Sequence, residues 1–264
     1  MTRPIVFLTD FGLSDPWVGI CHGVMYRIAP EAHVIDLTHA VPRQDVMRGA
    51  IELGRAVEYL PPNAVYLAVV DPGVGSERHA AAVAAGTALL VGPDNGVLSL
   101  AWEALGGVDE AVRIENEELL LTPVSRTFHG RDVFAPAAAH LAVGRPLADL
   151  GPSIDPAALG RIDVPSPMVV PGKVGARVMG VDGFGNVQLN ARTAELSSAG
   201  LDAERVLVVN GRRVPRAGTF AELPEHEPGM LVDSEGFIAL VVNHGSAAAT
   251  MRLSAGDPVV LERR

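Results

Sequence analysis

Six consecutive apolar residues at 65–70 (VYLAVV) stop on a carboxylate, Asp71, and a Pro72-Gly73 turn follows at once. A run this short, bounded by turn residues, reads as a strand buried on both faces. A second run of the same kind, PIVFLT at 4–9, stops on Asp10. Helical signals fill the interval. Trp17, Cys21, Val24, Met25 and Ile28 recur at spacings of three and four, after an Asp15-Pro16 start signal. Val46, Ala50, Leu53, Val57 and Leu60 form one stripe over 45–60. A short strand is expected at 34–37, another at 88–91, and helices at 96–105 and 134–143. Strands alternating with helices require parallel pairing with helices on both faces. In such sheets ligands bind at the carboxyl ends of the strands, where Asp10 and Asp71 stand.

The pattern changes after residue 150. Five prolines (Pro152, Pro156, Pro165, Pro167, Pro171) crowd 151–173, which reads as a linker. Strand-like runs follow at 176–181, 186–189, 205–209, 237–242 and 258–262. Asn210-Gly211 is a two-residue hairpin signal before a further strand at 212–214. The expectation is an α/β protein: an N-terminal α/β sandwich with a mainly parallel sheet over 1–165, and a smaller C-terminal β-barrel-like domain over 172–264.

Composition removes several classes. The 264 residues carry a formal net charge of −10, and no basic patch suits a phosphate backbone, so no nucleic-acid partner is expected. No apolar run approaches the ~20 residues of a membrane span, and the first residues lack a signal-peptide pattern. A cytoplasmic protein without a membrane partner is expected. The one cysteine, Cys21, excludes a disulfide framework or a cysteine zinc cluster. His22, His33, His39, His79, His140 and His226 show no metal-ligand spacing, so neither a metal nor a cofactor is expected.

Polar clusters interrupt the apolar chain at strand ends and glycine loops. Thr9-Asp10-Phe11-Gly12 offers a carboxylate suited to vicinal hydroxyls, or simply a turn cap. Asp71-Pro72-Gly73-Val74-Gly75-Ser76-Glu77-Arg78 offers a carboxylate and a guanidinium on a loop whose glycines allow close backbone approach. The alternative there is a solvated ion pair worth under ~1 kcal/mol. Thr127-Phe128-His129-Gly130-Arg131-Asp132 places a histidine before a helix. Asp182-Gly183-Phe184-Gly185-Asn186 offers a stacking face and an amide, or is a hairpin turn. Asn243-His244-Gly245-Ser246 follows a strand, where it offers donors to a carboxylate or simply ends the strand.

In this order, together with Gly92-Pro93-Asp94-Asn95-Gly96, these motifs resemble the S-adenosyl-L-methionine (SAM) hydroxide adenosyltransferases, relatives of the fluorinases and chlorinases. The resemblance spans nearly the whole chain. It implies SAM as substrate and the reaction SAM + water → adenosine + L-methionine. It also implies a homotrimer whose active sites lie between the N-terminal domain of one subunit and the C-terminal domain of the next. It makes Asp71, Arg78 and His129 the catalytic set and Asp10 the ribose ligand. It places Phe11, Asp94, Asn95, Asp182, Phe184 and Asn186 among the substrate contacts, with Asn243 and His244 near the amino-acid end. Those last two replace a Ser-Arg pair of the fluorinase. The fluorinase has tyrosines at the positions of Asp71 and His129, a serine at that of Gly130, and an insertion between the third and fourth strands that is missing here. These departures favour water over halide. Three readings stay open beside hydrolysis: a SAM- or adenosine-binding module with incidental turnover, a SAM-dependent halogenase, and a metal-dependent hydrolase.

Overall fold

All five residues of β1 (Ile5–Thr9) and of β3 (Val65–Val69) are buried, as their unbroken apolar sequences require. The computed structural model describes residues 2–263 and divides into two units, Met1–Ile162 and Asp163–Arg264.

The N-terminal unit is built on a six-stranded sheet. It adds β2 (Val34–Thr38), β4 (Ala80–Ala85), β5 (Ala88–Pro93) and β6 (Glu110–Arg113) in the order β2-β1-β3-β5-β4-β6. The first four strands of that order are parallel. β4 runs antiparallel to both β5 and β6. The expected strand at 88–91 is therefore the fifth. β4, with its sequence AAAVAA, carries little β-propensity, and pairing with β5 on one side and β6 on the other makes it a strand.

Alternate residues of the same strands feed two cores. Ile5, Phe7, Leu67 and Val69 pack with Cys21 and Met25 of α1 (Trp17–Ile28) and Ala138 and Leu141 of α4 (Ala135–Ala142). Val6, Leu8, Tyr66 and Ala68 pack on the other face with Leu53 of α2 (Val46–Ala56) and Ala101 and Trp102 of α3 (Ser99–Ala104). Truncating Leu67 or Leu53, each fully buried, to Ala costs about 2–5 kcal/mol. Asp45 caps α2 by accepting from Arg48 N at 2.9 Å. At α1 the cap position is Pro16 itself, one residue later than the Asp15 start signal suggests, and no side chain caps it.

The C-terminal unit is a nearly closed antiparallel sheet. β7 (Met168–Val170) and β8 (Lys173–Val181) come first, then β9 (Val187–Arg192), β10 (Val206–Val209) and β11 (Arg212–Pro215). β12 (Pro228–Val232), β13 (Phe237–Val242) and β14 (Pro258–Glu262) follow. The order is β11-β10-β14-β8-β9-β13-β12, with β7 pairing β8. A bridge between Arg216 and Met230 brings the two edges together. Asn210 (φ 47°) and Gly211 (φ 82°) form the left-handed turn that joins β10 to β11. Short helices α5 (Thr193–Ser198) and α6 (Ala247–Met251) complete the unit.

Candidate active site

β3 delivers Asp71 to the carboxyl edge of the parallel sheet, and the 72–78 loop folds back so that Arg78 meets it. Arg78 Nε donates to Asp71 Oδ1 at 2.9 Å, and Arg78 Nη2 donates to Asp71 Oδ2. The two side chains are 11 % and 7 % exposed, so the pair is not the solvated surface pair that the loop sequence also allowed. The same Nη2 donates to His129 Nδ1 at 2.8 Å. Asp71, Arg78 and His129 thus form one hydrogen-bonded chain. The Arg78 guanidinium also lies over the Phe134 ring, 5.2 Å from its centre.

Two glycines let these loops meet. Gly75 (φ +77°) lies so close to the Arg126 carbonyl oxygen that a Cβ would collide with it. Gly130 is buried, and its Cβ would stand 2.8 Å from Phe11 Cζ. Ser76 Oγ stiffens the first loop by donating to Gly73 O at 2.7 Å. His129 opens a π-helical turn, Gly130–Phe134, that runs into α4; such turns often mark functional sites.

Burial, and then the nearby Arg78 charge, hold His129 below the ordinary histidine range, against the opposing pull of Asp71 and Asp132. Asp132, 1 % exposed, is a supporting residue that the sequence motif contains but that its chemistry did not single out. It takes Arg131 Nε at 2.5 Å and Nη2 at 2.8 Å and accepts from Ser125 N at 2.8 Å, which ties down the 125–132 loop.

Asp10 caps the neighbouring turn through Oδ2, which accepts from Gln44 N at 2.8 Å. Phe11 stacks edge-on against Phe128, which also meets Trp17. Asp94 and Asn95 are engaged with backbone: Asp94 Oδ1 accepts from Gly160 N at 2.7 Å, and Asn95 Nδ2 donates to Val70 O at 2.9 Å. Asn95 thereby anchors the residue just before Asp71.

In the C-terminal unit, Asp182 organises its own loop. Its Oδ1 accepts from Phe184 N and Asn186 N, both at 2.9 Å, and its Oδ2 accepts from Asn186 Nδ2 at 2.8 Å. This leaves the Phe184 ring 83 % exposed. Gly185 (φ +83°) abuts Ser246, and Ala248 N donates to Gly185 O at 3.0 Å. The loop therefore sits beside Asn243 and His244, whose backbone pairs with the 225–226 segment. Ser246, the last residue of the Asn243-His244-Gly245-Ser246 motif, is what joins the two.

Comparisons with known proteins agree along the chain. The SAM hydroxide adenosyltransferase N-terminal domain matches residues 5–151, and the C-terminal domain of the same family matches residues 176–260. An (R)-S-adenosyl-L-methionine hydrolase of Salinispora arenicola is 53 % identical over 258 residues, 96 % of this chain and 95 % of that one. The hydrolase of Thermus thermophilus is 42 % identical, covering 98 % and 99 % of the two chains. A fluorinase of Actinoplanes is 27 % identical, covering 98 % and 97 %. A crystal structure of an uncharacterised conserved protein from Thermotoga maritima superposes with a TM-score of 0.89 at 37 % identity, covering 98 % of this chain and all of that one. The chain belongs to the SAM hydroxide adenosyltransferase family.

Proposed function

We propose that this protein hydrolyses S-adenosyl-L-methionine to adenosine and L-methionine, with water attacking C5′. The carrying observation is the buried Asp71–Arg78–His129 chain. At C5′ the leaving group is a sulfonium, so methionine departs as a neutral thioether and needs no acid. What the protein must supply is a water aligned with the C–S bond and stripped of competing solvent.

The division of labour follows from hydrogen-bond chemistry. A guanidinium only donates, so His129 Nδ1 accepts from Arg78 and the proton of the neutral ring sits on Nε2. His129 therefore holds the water by donating to its oxygen, and Asp71 takes the proton as attack proceeds. Asp10 binds the ribose hydroxyls and Phe11 flanks the same turn. Asp182, Phe184 and Asn186 take the adenine, with Asn243 and His244 toward the methionine carboxylate. Asn95 acts from behind, holding the residue after β3, and Asp94 ties its own loop to Gly160. No cofactor or metal takes part in this chemistry. The assembly proposed is the homotrimer that the family resemblance implies, in which the N-terminal cluster of one subunit and the C-terminal cluster of its neighbour share a substrate. A cytoplasmic setting fits a SAM-consuming enzyme, and no helix among the described residues is long and apolar enough to cross a membrane.

Halide chemistry is disfavoured by Gly130, where a serine Cβ would push into the Phe11 ring. The test is turnover of SAM in ¹⁸O-water with chloride present. Labelled adenosine is expected; 5′-chloro-5′-deoxyadenosine, or unlabelled product, would overturn the assignment.

A further inference from the structure

The fold gathers three side chains that the spacing of histidines along the chain conceals. His22 lies on α1, Asp36 on β2 and His39 just after β2, and the α1 connection between parallel strands β1 and β2 brings them together. His22 Nε2 stands 2.8 Å and His39 Nε2 3.0 Å from the same oxygen, Asp36 Oδ1. All three ligand-capable atoms fall within 4.8 Å of one another. Ligands at about 2.0–2.1 Å from a tetrahedral zinc ion lie roughly 3.3 Å apart, so a slight spreading of these groups admits such an ion. Two imidazoles and one carboxylate form a donor set for borderline divalent ions, with room for solvent at the remaining position.

The surroundings are those of a built site. His39 is 3 % exposed, whereas His22 and Asp36 are 34 % and 45 % exposed, which combines a fixed anchor with access from solvent. Phe7 underlies both imidazoles, its ring centre 5.9 Å from that of His22 and 4.8 Å from that of His39. His22 also lines an open hollow with Gly23, Tyr26, Ala29, Ala32 and Val34. On the far side of the His39 ring, Nδ1 is 2.9 Å from the hydroxyl of fully buried Thr9. A hydrogen bond at the second nitrogen is what orients ligating histidines. The Thr9 hydroxyl can donate or accept there. In one tautomer His39 Nε2–H donates to Asp36; in the other Nδ1–H donates to Thr9 and the Nε2 lone pair is free for a metal.

We infer that His22, Asp36 and His39 bind a divalent ion of the zinc class in a structural role. The site is separate from Asp71, Arg78 and His129, and bears on Asp10 through its neighbours. Thr9 precedes Asp10, and Gly12 N donates to His39 O at 2.8 Å. An ion here braces the 9–12 turn from beneath.

The test uses the untagged full chain, stripped with EDTA and equilibrated with Co²⁺ or Zn²⁺. One equivalent of Co²⁺ with visible d–d absorption is expected, together with a higher melting temperature in Zn²⁺. His22→Ala and Asp36→Asn alter partly exposed side chains outside the proposed catalytic machinery. Each should fold, retain SAM turnover in EDTA and weaken metal binding at least about tenfold, the loss that even outer-shell changes produce. Failure of the wild-type chain to take up a stoichiometric ion, or uptake unchanged in both variants, would overturn the inference.

Discussion

Arg78 Nη2 donates to His129 Nδ1 across 2.8 Å, and this contact fixes where the histidine proton can be. A second proton on Nδ1 would confront a donor with a donor. The neutral ring therefore carries its proton on Nε2, and its charged form is disfavoured by burial and by Arg78.

The pH dependence follows. Acid should inactivate the enzyme by protonating His129 and breaking its bond to Arg78. Because burial and Arg78 outweigh Asp71 and Asp132, kcat/KM should stay level at neutral and higher pH. It should fall on the acid side with a midpoint below the ordinary histidine value of 6.5. Stability shares the sign. His129 and His140 are both shifted down in the fold, so the unfolded chain takes up protons first, and stability declines as pH drops below about 6.5. An acid limb centred above that value would contradict the assigned tautomer.

The Asp71–Arg78 pair permits a separation of stability from catalysis. Both side chains are largely buried, so Arg78→Ala strands a carboxylate and should cost about 3–5 kcal/mol in chemical denaturation. Asp71→Asn should lower kcat by about 10²–10⁴. The double variant Asp71→Asn/Arg78→Gln removes both charges; it should regain much of the stability lost in Arg78→Ala and none of the activity lost in Asp71→Asn. Recovery of turnover in the double variant would make the pair a structural brace.

Gly75 tests how the 72–78 and 125–132 loops are joined. Its φ of +77° disfavours any Cβ, and the Arg126 carbonyl fills the space one would need. Gly75→Ala should destabilise by more than the ~1–2 kcal/mol of left-handed backbone alone. It should also separate Arg78 from His129, so that kcat falls while KM changes little. A variant with wild-type melting temperature and kcat would show that the approach of the loops is not needed.

The buried strands β1, β3 and β13 were legible because each combines an unbroken apolar run with a terminating polar residue. The Asp71, Arg78 and His129 motifs stood out as polar clusters in apolar sequence, but each alone also allowed a solvated pair or a loop histidine, and only the order of all the motifs along the chain pointed to one site. β4 and β6 were not legible, since alanine-rich and four-residue strands take their identity from neighbours. Nor was the His22–Asp36–His39 cluster, whose members stand 14 and 3 positions apart, separations that acquire meaning only once β2 is laid beside β1. Asp94 and Asn95 show the converse. Their motif is distinctive, yet their side chains bond to Gly160 and Val70 backbone, contacts that the sequence does not disclose.

Phe184 separates binding from folding most cleanly. Its ring is 83 % exposed, and the loop beneath is held by Asp182 rather than by the ring. Phe184→Ala should therefore leave the denaturation midpoint within about 0.5 kcal/mol of wild type, as for other surface changes. Stacking of a base on an aromatic face is worth about 1–3 kcal/mol, so KM for SAM should rise roughly 5- to 150-fold at little cost in kcat. Phe184→Tyr keeps the stacking face and should restore affinity. An alanine variant that binds SAM normally would remove Phe184 from the adenine site and shift attention to Asn186 as the base contact.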